Sequence, residues 1–173
     1  MRVGFGYDSH RFQEGRRLVL GGVTIPDHAG LAGHSDGDAV AHAVIDALLG
    51  AAGAGDVGSH FPPSDGRWKD ADSMDLLRRA VTVLEGRNYQ VVNVDLTVIC
   101  ETPRILPHAA AMCARLGDLL GVGPGAISVK GKTNEGMGWI GAGEGLAVHA
   151  VALVDTIREP AELSGGGGGA LAL

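Results

Sequence analysis

Hydrophobic and polar positions alternate with two different periods along the chain, and each period predicts one kind of element. A period of two over Arg2–Asp8 places Val3, Phe5 and Tyr7 on one face and predicts a short strand. Leu18–Ile25 predicts a strand, a Gly-Gly turn and a second strand. The other predicted strands cover Gln90–Ile99, Ile127–Thr133 and Leu146–Val154.

Apolar residues at helical spacing predict three helices between these strands. The first helix runs from Asp38 to Ala52, and the second runs from Asp72 or Ser73 to about Glu85. The third has Pro107 in its first turn and continues through Leu120. The alternation of strands and helices favours a mixed α+β fold, with one mixed sheet covered by helices. The Gly- and Pro-rich loop Ala52–Asp65 is too rich in turn residues for a simple connector, which is typical of functional or mobile loops.

Composition limits the class of protein. A chain of 173 residues is expected to form one domain, here over residues 1–157, followed by a flexible Gly-rich tail over residues 158–173. The net charge of -6 argues against nucleic acid or an anionic membrane as the main partner. No apolar run approaches the roughly 20 residues that span a bilayer, and the N-terminus lacks signal-peptide architecture. A cytoplasmic protein is therefore expected.

Candidate metal chemistry lies in histidines and carboxylates, because the two cysteines, Cys100 and Cys113, have no zinc-site spacing. Asp8 and His10 point the same way if the first strand continues, and this pair is able to share one ion. Asp38, His42 and Asp46 step by four along one stripe of the first helix. From the residues alone, two alternatives stay open. Asp8 and His10 also fit an exposed Asp-x-His loop, and the helix stripe also fits an acidic residue favoured by the helix dipole with one histidine held by a neighbouring acid.

Four long motifs, in order, resemble the 2-C-methyl-D-erythritol 2,4-cyclodiphosphate synthase family of the non-mevalonate isoprenoid pathway. The similarity extends from Arg2 to about Val154. The motifs are GYDSHRF (Gly6–Phe12), GGVTIP (Gly21–Pro26), HSDGDAVAHAVIDALLGAAGAGDVGSHFPPSD (His34–Asp65) and KGKTNEGMGWIGAGEG (Lys130–Gly145).

The resemblance implies a zinc ion held by Asp8, His10 and His42, with the fourth position open to a substrate oxygen. It also implies a magnesium or manganese ion held by Glu135 between two substrate phosphates. In this family, 4-diphosphocytidyl-2-C-methyl-D-erythritol 2-phosphate is converted to the cyclic diphosphate and CMP. The enzyme is a homotrimer around a central sheet-lined axis, with sites between subunits. Asp46, one turn beyond His42, is a hypothetical orienting partner of that imidazole.

The same resemblance implies the roles of further site residues. His34 and Thr133 are the expected transition-state stabilisers, although a loop histidine and a strand-end hydroxyl explain them equally well without the family pattern. The expected substrate-binding residues are Asp8, His10, His34, Ser35, Asp56, Val57, Gly58, Phe61, Pro62, Pro63, Ser64, Asp65, Cys100, Glu101, Thr102, Pro103, Arg104, Ile105, Leu106, Lys132, Thr133, Asn134, Glu135, Trp139 and Ala142.

Ala142 departs from the family pattern, which commonly has arginine near the trimer axis. Losing a guanidinium removes a bidentate phosphate partner, so we expect weak binding of isoprenoid diphosphates in the central cavity. Two other functions stay open from the sequence. A zinc-dependent hydrolase would need a general base, for which Asp46 and Asp65 are candidates. A trimeric binding module with structural zinc would need four protein ligands, and only three are found.

Overall fold

A five-stranded mixed sheet supports the helices of the chain. The computed structural model describes residues 1–123 and 125–157. The strands are β1 (Arg2–Leu20), β2 (Val23–Leu31), β3 (Tyr89–Ile99), β4 (Ile127–Lys132) and β5 (Gly145–Thr156). The helices are α1 (Ala39–Ala52), α2 (Val57–His60), α3 (Ser73–Gly86), α4 (Leu106–Leu120) and α5 (Gly138–Gly141), with a 3-10 turn at Gly66–Trp68. The strand order is β2-β1-β5-β3-β4, and β3 and β4 form the parallel pair.

The first strand is longer than the sequence predicts. We expected it to end at Asp8, but β1 continues to Leu20. Its first half, Arg2–Arg11, pairs with β5, and its second half, from Phe12 onward, pairs with β2. The two register shifts in the second half lie around Arg17, in a polar stretch where the sequence has no apolar alternation to reveal a strand.

The three predicted helices and the last three predicted strands are confirmed to within a few residues, whereas β2 continues to Leu31, beyond its predicted end at Ile25. Asp72 caps α3 by accepting a hydrogen bond from the Met74 N–H at 2.8 Å, and proline occupies the first turn of α4. The short helices α2 and α5 were not predicted, because four residues are too few to show a helical period.

Helix α1 lies directly against β1, with no side chain between the two backbones at two points. A Cβ added to Gly4 would lie 1.8 Å from the Ala47 carbonyl oxygen, and one added to Gly6 would lie 1.9 Å from that of Ala43. These distances are far below van der Waals contact. The two glycines therefore set the close approach of strand and helix, on which the site below depends.

A buried carboxylate fixes the start of α1 to the β1–β2 turn. Asp38 is fully buried and accepts hydrogen bonds from the backbone N–H groups of Gly21 (2.8 Å), Gly22 (2.7 Å) and Ala41 (3.0 Å). Both turn glycines have positive φ, as a tight hairpin requires. The Asp38 side chain thus caps the helix and holds the hairpin at the same time.

The two faces of the sheet differ in burial. One face packs against α1, α3 and α4, and its residues such as Leu96 and Val148 are buried. The opposite face carries Val3, Phe5 and Val151, which are 66%, 60% and 43% exposed. In this single chain, a broad apolar surface of the sheet is uncovered.

Two further expectations concern the C-terminal tail and membrane-spanning segments. The tail predicted over residues 158–173 lies outside the described residues. Among the helices at residues 1–123 and 125–157, none is long and apolar enough to cross a membrane.

Candidate active site

Asp8, His10 and His42, hereafter the metal triad, converge where β1 faces α1. Asp8 Oδ2 lies 2.9 Å from His10 Nε2 and 3.0 Å from His42 Nδ1. The three ligand atoms all lie within 4.8 Å of one another. The alternative of an exposed Asp-x-His loop is therefore wrong, because a strand and a helix from distant parts of the sequence hold the three side chains together.

The donor set fits a zinc ion. One carboxylate oxygen and two imidazole nitrogens are ligands that zinc accepts, and three protein ligands leave a fourth position open. The outward ring nitrogen of each histidine has its own acceptor. His10 Nδ1 lies 2.5 Å from the Ala32 carbonyl oxygen, and His42 Nε2 lies 3.0 Å from Ser73 Oγ. Each outer hydrogen bond leaves the inner nitrogen free to coordinate.

Electrostatic interactions link Asp8 and His10 within the metal triad. Burial opposes ionisation of Asp8, but hydrogen bonds from His10 and His42 outweigh it and hold the pKa of Asp8 well below its ordinary value. Burial also disfavours the charged form of His10, yet its hydrogen bond and charge interaction with Asp8 raise the pKa of His10. The two shifts have the signs expected of a carboxylate and an imidazole that interact closely.

The hypothesis that Asp46 orients His42 is wrong. Asp46 Oδ1 accepts a hydrogen bond from the Val57 N–H at 2.7 Å, at the start of α2, and both outward contacts of His42 Nε2 are with Ser35 and Ser73. Burial, the largest effect, raises the pKa of Asp46 despite the Val57 hydrogen bond. Asp46 thus anchors the expected substrate loop rather than the metal ligand.

A cavity of about 170 Å³ opens beside the metal triad. Its walls combine the turn before α1 with the loop that follows it. The lining residues are His10, His34, Ser35, His42, Val57, Gly58, Phe61, Pro63, Trp68 and Leu76. The structure therefore brings several of the expected substrate-binding residues together with the metal triad, and the exposed side chain of His34 lies at this cavity.

Two carboxylates in this loop are engaged in local contacts. Asp56 caps α2 through Ser59, and Asp65 pairs with Arg67 at 2.6 Å while accepting from its backbone N–H. The Arg67 hydrogen bonds lower the pKa of Asp65. These contacts count against Asp65 as the general base of a hydrolase, because an ionised partner of arginine is a weak base.

A second cavity of about 430 Å³, hereafter the β3–β4 pocket, lies at the carboxyl ends of the parallel strands. It is lined by Cys100, Glu101, Pro103, Arg104, Ile105, Leu106, Val129, Lys130, Gly131, Lys132 and Thr133. Eight of the expected substrate-binding residues line this pocket: Cys100, Glu101, Pro103, Arg104, Ile105, Leu106, Lys132 and Thr133.

Glu101 organises the loop that follows β4. Its Oε1 accepts hydrogen bonds from the backbone N–H groups of Asn134 at 2.9 Å and Gly136 at 3.2 Å. Glu135 lies between them with a positive φ of 51°, and its Oε1 accepts from Thr133 Oγ1 at 2.9 Å. The expected second-metal ligand and the expected catalytic threonine are therefore adjacent, on the rim of the β3–β4 pocket.

The metal triad and the β3–β4 pocket are separate in one chain. Across the sheet, Asp8 of β1 pairs with Val148 of β5, Val148 pairs with Val98 of β3, and Val98 pairs with Gly131 of β4. Three strand-to-strand steps amount to about 14 Å. Glu135 does not join the cluster that Asp8, His10 and His42 form among the described residues.

The two remaining site residues lie near α5. Trp139 lines a cavity of about 380 Å³ with Ser9, His10, Arg11 and Glu144. Ala142 ends α5 and is exposed. The position where the family commonly has arginine is therefore at the surface of this chain.

Two functional candidates were missed from the sequence. Ser73 is fully buried and contacts His42, and Asp36 contacts Ser73. The available signal was the polar sequence Asp72-Ser73 before α3, but it was interpreted as helix capping alone.

The fold and the metal triad together define a class: a mixed α/β domain in which three side chains able to hold one metal ion lie beside a cavity. The model of the YgbB family matches residues 1–155. A 2-C-methyl-D-erythritol 2,4-cyclodiphosphate synthase from Symbiobacterium thermophilum is 56% identical over 154 residues, which are 89% of this chain and 98% of the relative.

Solved structures are similar over the same region. A 2C-methyl-D-erythritol-2,4-cyclodiphosphate synthase in a CDP-bound form superposes with a TM-score of 0.82 at 40% identity, covering 89% of this chain and all of that chain (100%). The bifunctional IspDF from Campylobacter jejuni gives a TM-score of 0.87 at 38% identity, covering 90% of this chain and 42% of that chain. The chain belongs to the YgbB family of 2-C-methyl-D-erythritol 2,4-cyclodiphosphate synthases, lyases of isoprenoid biosynthesis.

Proposed function

We propose that the chain converts 4-diphosphocytidyl-2-C-methyl-D-erythritol 2-phosphate to 2-C-methyl-D-erythritol 2,4-cyclodiphosphate and CMP. The 2-phosphate oxygen forms a bond to the β-phosphorus, and the bond from that phosphorus to the oxygen shared with the α-phosphate breaks, releasing CMP. The observation that carries this proposal is the metal triad beside the cavity lined by His34 and Ser35, in a chain 56% identical to a synthase.

Asp8, His10 and His42 would hold zinc, and Glu135 would hold magnesium or manganese. Bound there, the two ions would supply charge neutralisation and a template for two phosphates that repel each other. Two imidazole nitrogens and one carboxylate oxygen are ligands that zinc accepts, which supports zinc as the ion of the metal triad. The exposed carboxylate of Glu135 supports a hard cation on the rim of the β3–β4 pocket.

The chain's own groups contribute positioning. The turn at His34 and Ser35 lines the cavity beside the metal triad, and its backbone N–H groups are proposed to donate to phosphate oxygens. The His34 imidazole and the Thr133 hydroxyl are both exposed, and we propose that both donate to charge that develops on the transferred phosphoryl group, with the Thr133 hydroxyl turning from Glu135 to do so. Such a reaction needs orientation and charge stabilisation more than covalent help from the protein.

The β3–β4 pocket is proposed to bind the cytidine end of the substrate. It is close to 430 Å³, a size that suits a nucleoside, and a solved relative has CDP bound. Its backbone groups between Cys100 and Leu106 are the expected readers of the cytosine edge.

We further propose that three copies of the chain assemble around the uncovered face of the sheet. Val3, Phe5, Tyr7 and Val151 expose an apolar surface there, which is typical of an interface. The metal triad of one copy and the β3–β4 pocket of its neighbour would then hold the two ends of one substrate. The distance between the metal triad and the β3–β4 pocket within a single chain supports this arrangement. Native mass spectrometry tests this, and Phe5→Asp is expected to give monomers.

The test of function is incubation of the zinc-loaded protein with the substrate and magnesium, followed by mass analysis. Stoichiometric CMP with a cyclic diphosphate is the expected result. CMP with an open-chain product would support the hydrolase instead, and absence of CMP would contradict both. The cytoplasm, where soluble nucleotide substrates are available, is the proposed compartment.

A further inference from the structure

We propose that Ser73 and Asp36 form a hydrogen-bonded chain that positions His42 as a metal ligand. Ser73 Oγ lies 3.0 Å from His42 Nε2 and 2.5 Å from Asp36 Oδ1. The Ser73 side chain is fully buried, so water does not compete for these contacts. The proposal rests on the proposed metal site, and it gives that site two residues that do not touch the metal.

The direction of the hydrogen bonds follows from what each group is able to donate. An ionised Asp36 only accepts, and the Ser73 hydroxyl has a single proton. That proton goes to Asp36, so Ser73 Oγ accepts the proton of His42 Nε2. The nitrogen of His42 left for a metal is then Nδ1, which lies 3.0 Å from Asp8 Oδ2 and would coordinate the ion in place of its proton.

Asp36 is itself held in place at both of its oxygens. Asp36 Oδ2 accepts from the Ser73 N–H at 3.1 Å, and Oδ1 accepts from the Asp38 N–H at 3.1 Å. The backbone nearby is paired as well, through Asp36 N–H to Ala71 O at 3.1 Å. The chain therefore ends on a carboxylate with little freedom to move.

The two histidines of the metal triad differ in this respect. His10 donates to a backbone carbonyl, that of Ala32, which no substitution removes. His42 relies on side chains, and its chain ends on a charged group. A carboxylate behind a ligating imidazole raises the basicity of that imidazole, and loss of such partners typically weakens metal binding by roughly 10- to 100-fold.

Ser35 is the competing acceptor, because Ser35 Oγ lies 3.2 Å from His42 Nε2. It also accepts from the Gly37 N–H at 3.2 Å and lies 3.3 Å from Ser73 Oγ, with no carboxylate among its contacts. Ser73, which is closer and backed by Asp36, is expected to matter more.

The experiment measures Zn²⁺ affinity of the full-length protein by competition with a chromophoric chelator, for wild type, Ser73→Ala, Ser35→Ala and Asp36→Asn. Asp72→Ala is the matched control, because it removes the cap of α3 next to Ser73 without touching His42. The Co²⁺ absorption spectrum of each variant provides a second readout of ligand geometry, which loss of helix stability alone does not change.

Ser73→Ala is expected to weaken Zn²⁺ binding about 10- to 100-fold and to alter the Co²⁺ spectrum. Asp36→Asn is expected to act in the same direction with a smaller effect, and Asp72→Ala to leave both unchanged. Zn²⁺ affinity of Ser73→Ala within about twofold of wild type would overturn the proposal, as would a larger effect of Ser35→Ala. If Ser73→Ala does not fold, Asp36→Asn decides by the same criteria. Wild-type protein that binds no Zn²⁺ would instead overturn the metal site itself.

Discussion

The metal triad and the β3–β4 pocket are built in different ways. In the metal triad the side chains of Asp8, His10 and His42 are 22%, 20% and 13% exposed, and each has its hydrogen-bond partners within one chain. At the β3–β4 pocket, Thr133 and Glu135 are exposed, and Leu106 is 84% exposed. The fold of one chain is therefore sufficient to organise the metal triad, whereas the pocket remains open to a ligand or a second copy.

The largest expected effect comes from removing a ligand of the metal triad. His42→Ala leaves two ligands, so bound zinc should be lost and CMP release should fall roughly 10³-fold or more. Zinc content by mass spectrometry and CMP release measure this. His108→Ala, at a half-buried histidine of α4, is the control, and equal zinc content in the two variants would contradict the assignment.

The next effect tests whether backbone contact organises the metal triad. Gly6→Ala places a Cβ 1.9 Å from the Ala43 carbonyl oxygen, so β1 and α1 must separate. We expect the free energy of unfolding to fall by about 3 kcal/mol and zinc affinity to fall with it. Urea unfolding measures the first. Gly66→Ala has nothing within 4 Å of the added Cβ and should be nearly neutral; an equal loss in both variants would refute the argument.

A pH effect follows from Asp38, which holds the start of α1. Burial raises the pKa of Asp38 to about 6, against backbone hydrogen bonds from Gly22, Ala41 and Gly21 that lower it. Because the folded pKa is above the unfolded value, the stabilisation is complete below about pH 4 and is lost as pH rises through about 6.

Asp38→Asn removes this titration. The free energy of unfolding of wild type, relative to the variant, should fall by about 2 kcal/mol between pH 4 and pH 7. Urea unfolding across that range measures the difference, and parallel pH profiles of the two proteins would contradict the prediction.

A smaller effect concerns the β3–β4 pocket. Glu101→Ala leaves the N–H groups of Asn134 and Gly136 without their acceptor, and the loop carrying Glu135 should loosen. Affinity for CDP, measured by calorimetry, should fall about tenfold, while zinc affinity stays constant. Glu85→Ala, on an exposed position of α3, is the control. Loss of zinc in Glu101→Ala would show that the two regions are not independent.

The smallest expected effect is on zinc binding by Asp46→Asn. Because Asp46 bonds to the Val57 N–H and not to His42, zinc affinity should stay within about twofold of wild type, well short of the loss of a true outer partner. Chelator competition measures it. A tenfold loss would restore the orienting role that the helix spacing predicted.

Sequence reasoning succeeded where structure is local. The cap at Asp72 and the proline in the first turn of α4 depend on neighbours within one turn, and both were predicted. The stretch of β1 between Asp8 and Leu18 was missed because most of its strand character depends on pairing with β2, through the polar residues around Arg17. A partner strand is a property of the fold and has no local signature there.

The candidate site shows the same difference between local and distant contacts. The i, i+2 spacing of Asp8 and His10 indicated a shared direction, but their meeting with His42 depends on the close contact of β1 and α1, so the resemblance to a family was needed to join them. The contact of Asp36 with Ser73 spans 37 residues, beyond any periodicity argument. Asp46 had the right spacing for His42 and yet bonds elsewhere, because a helix face offers more than one neighbour.

The composition of the core has a consequence for how the protein matures. Many small zinc domains are unfolded until the ion arrives, but here the core of leucine, valine and alanine side chains includes none of Asp8, His10 and His42. Folding should therefore precede metal loading. Cells short of zinc would accumulate folded, idle protein, and its activity would return within the time of ion binding, without new synthesis.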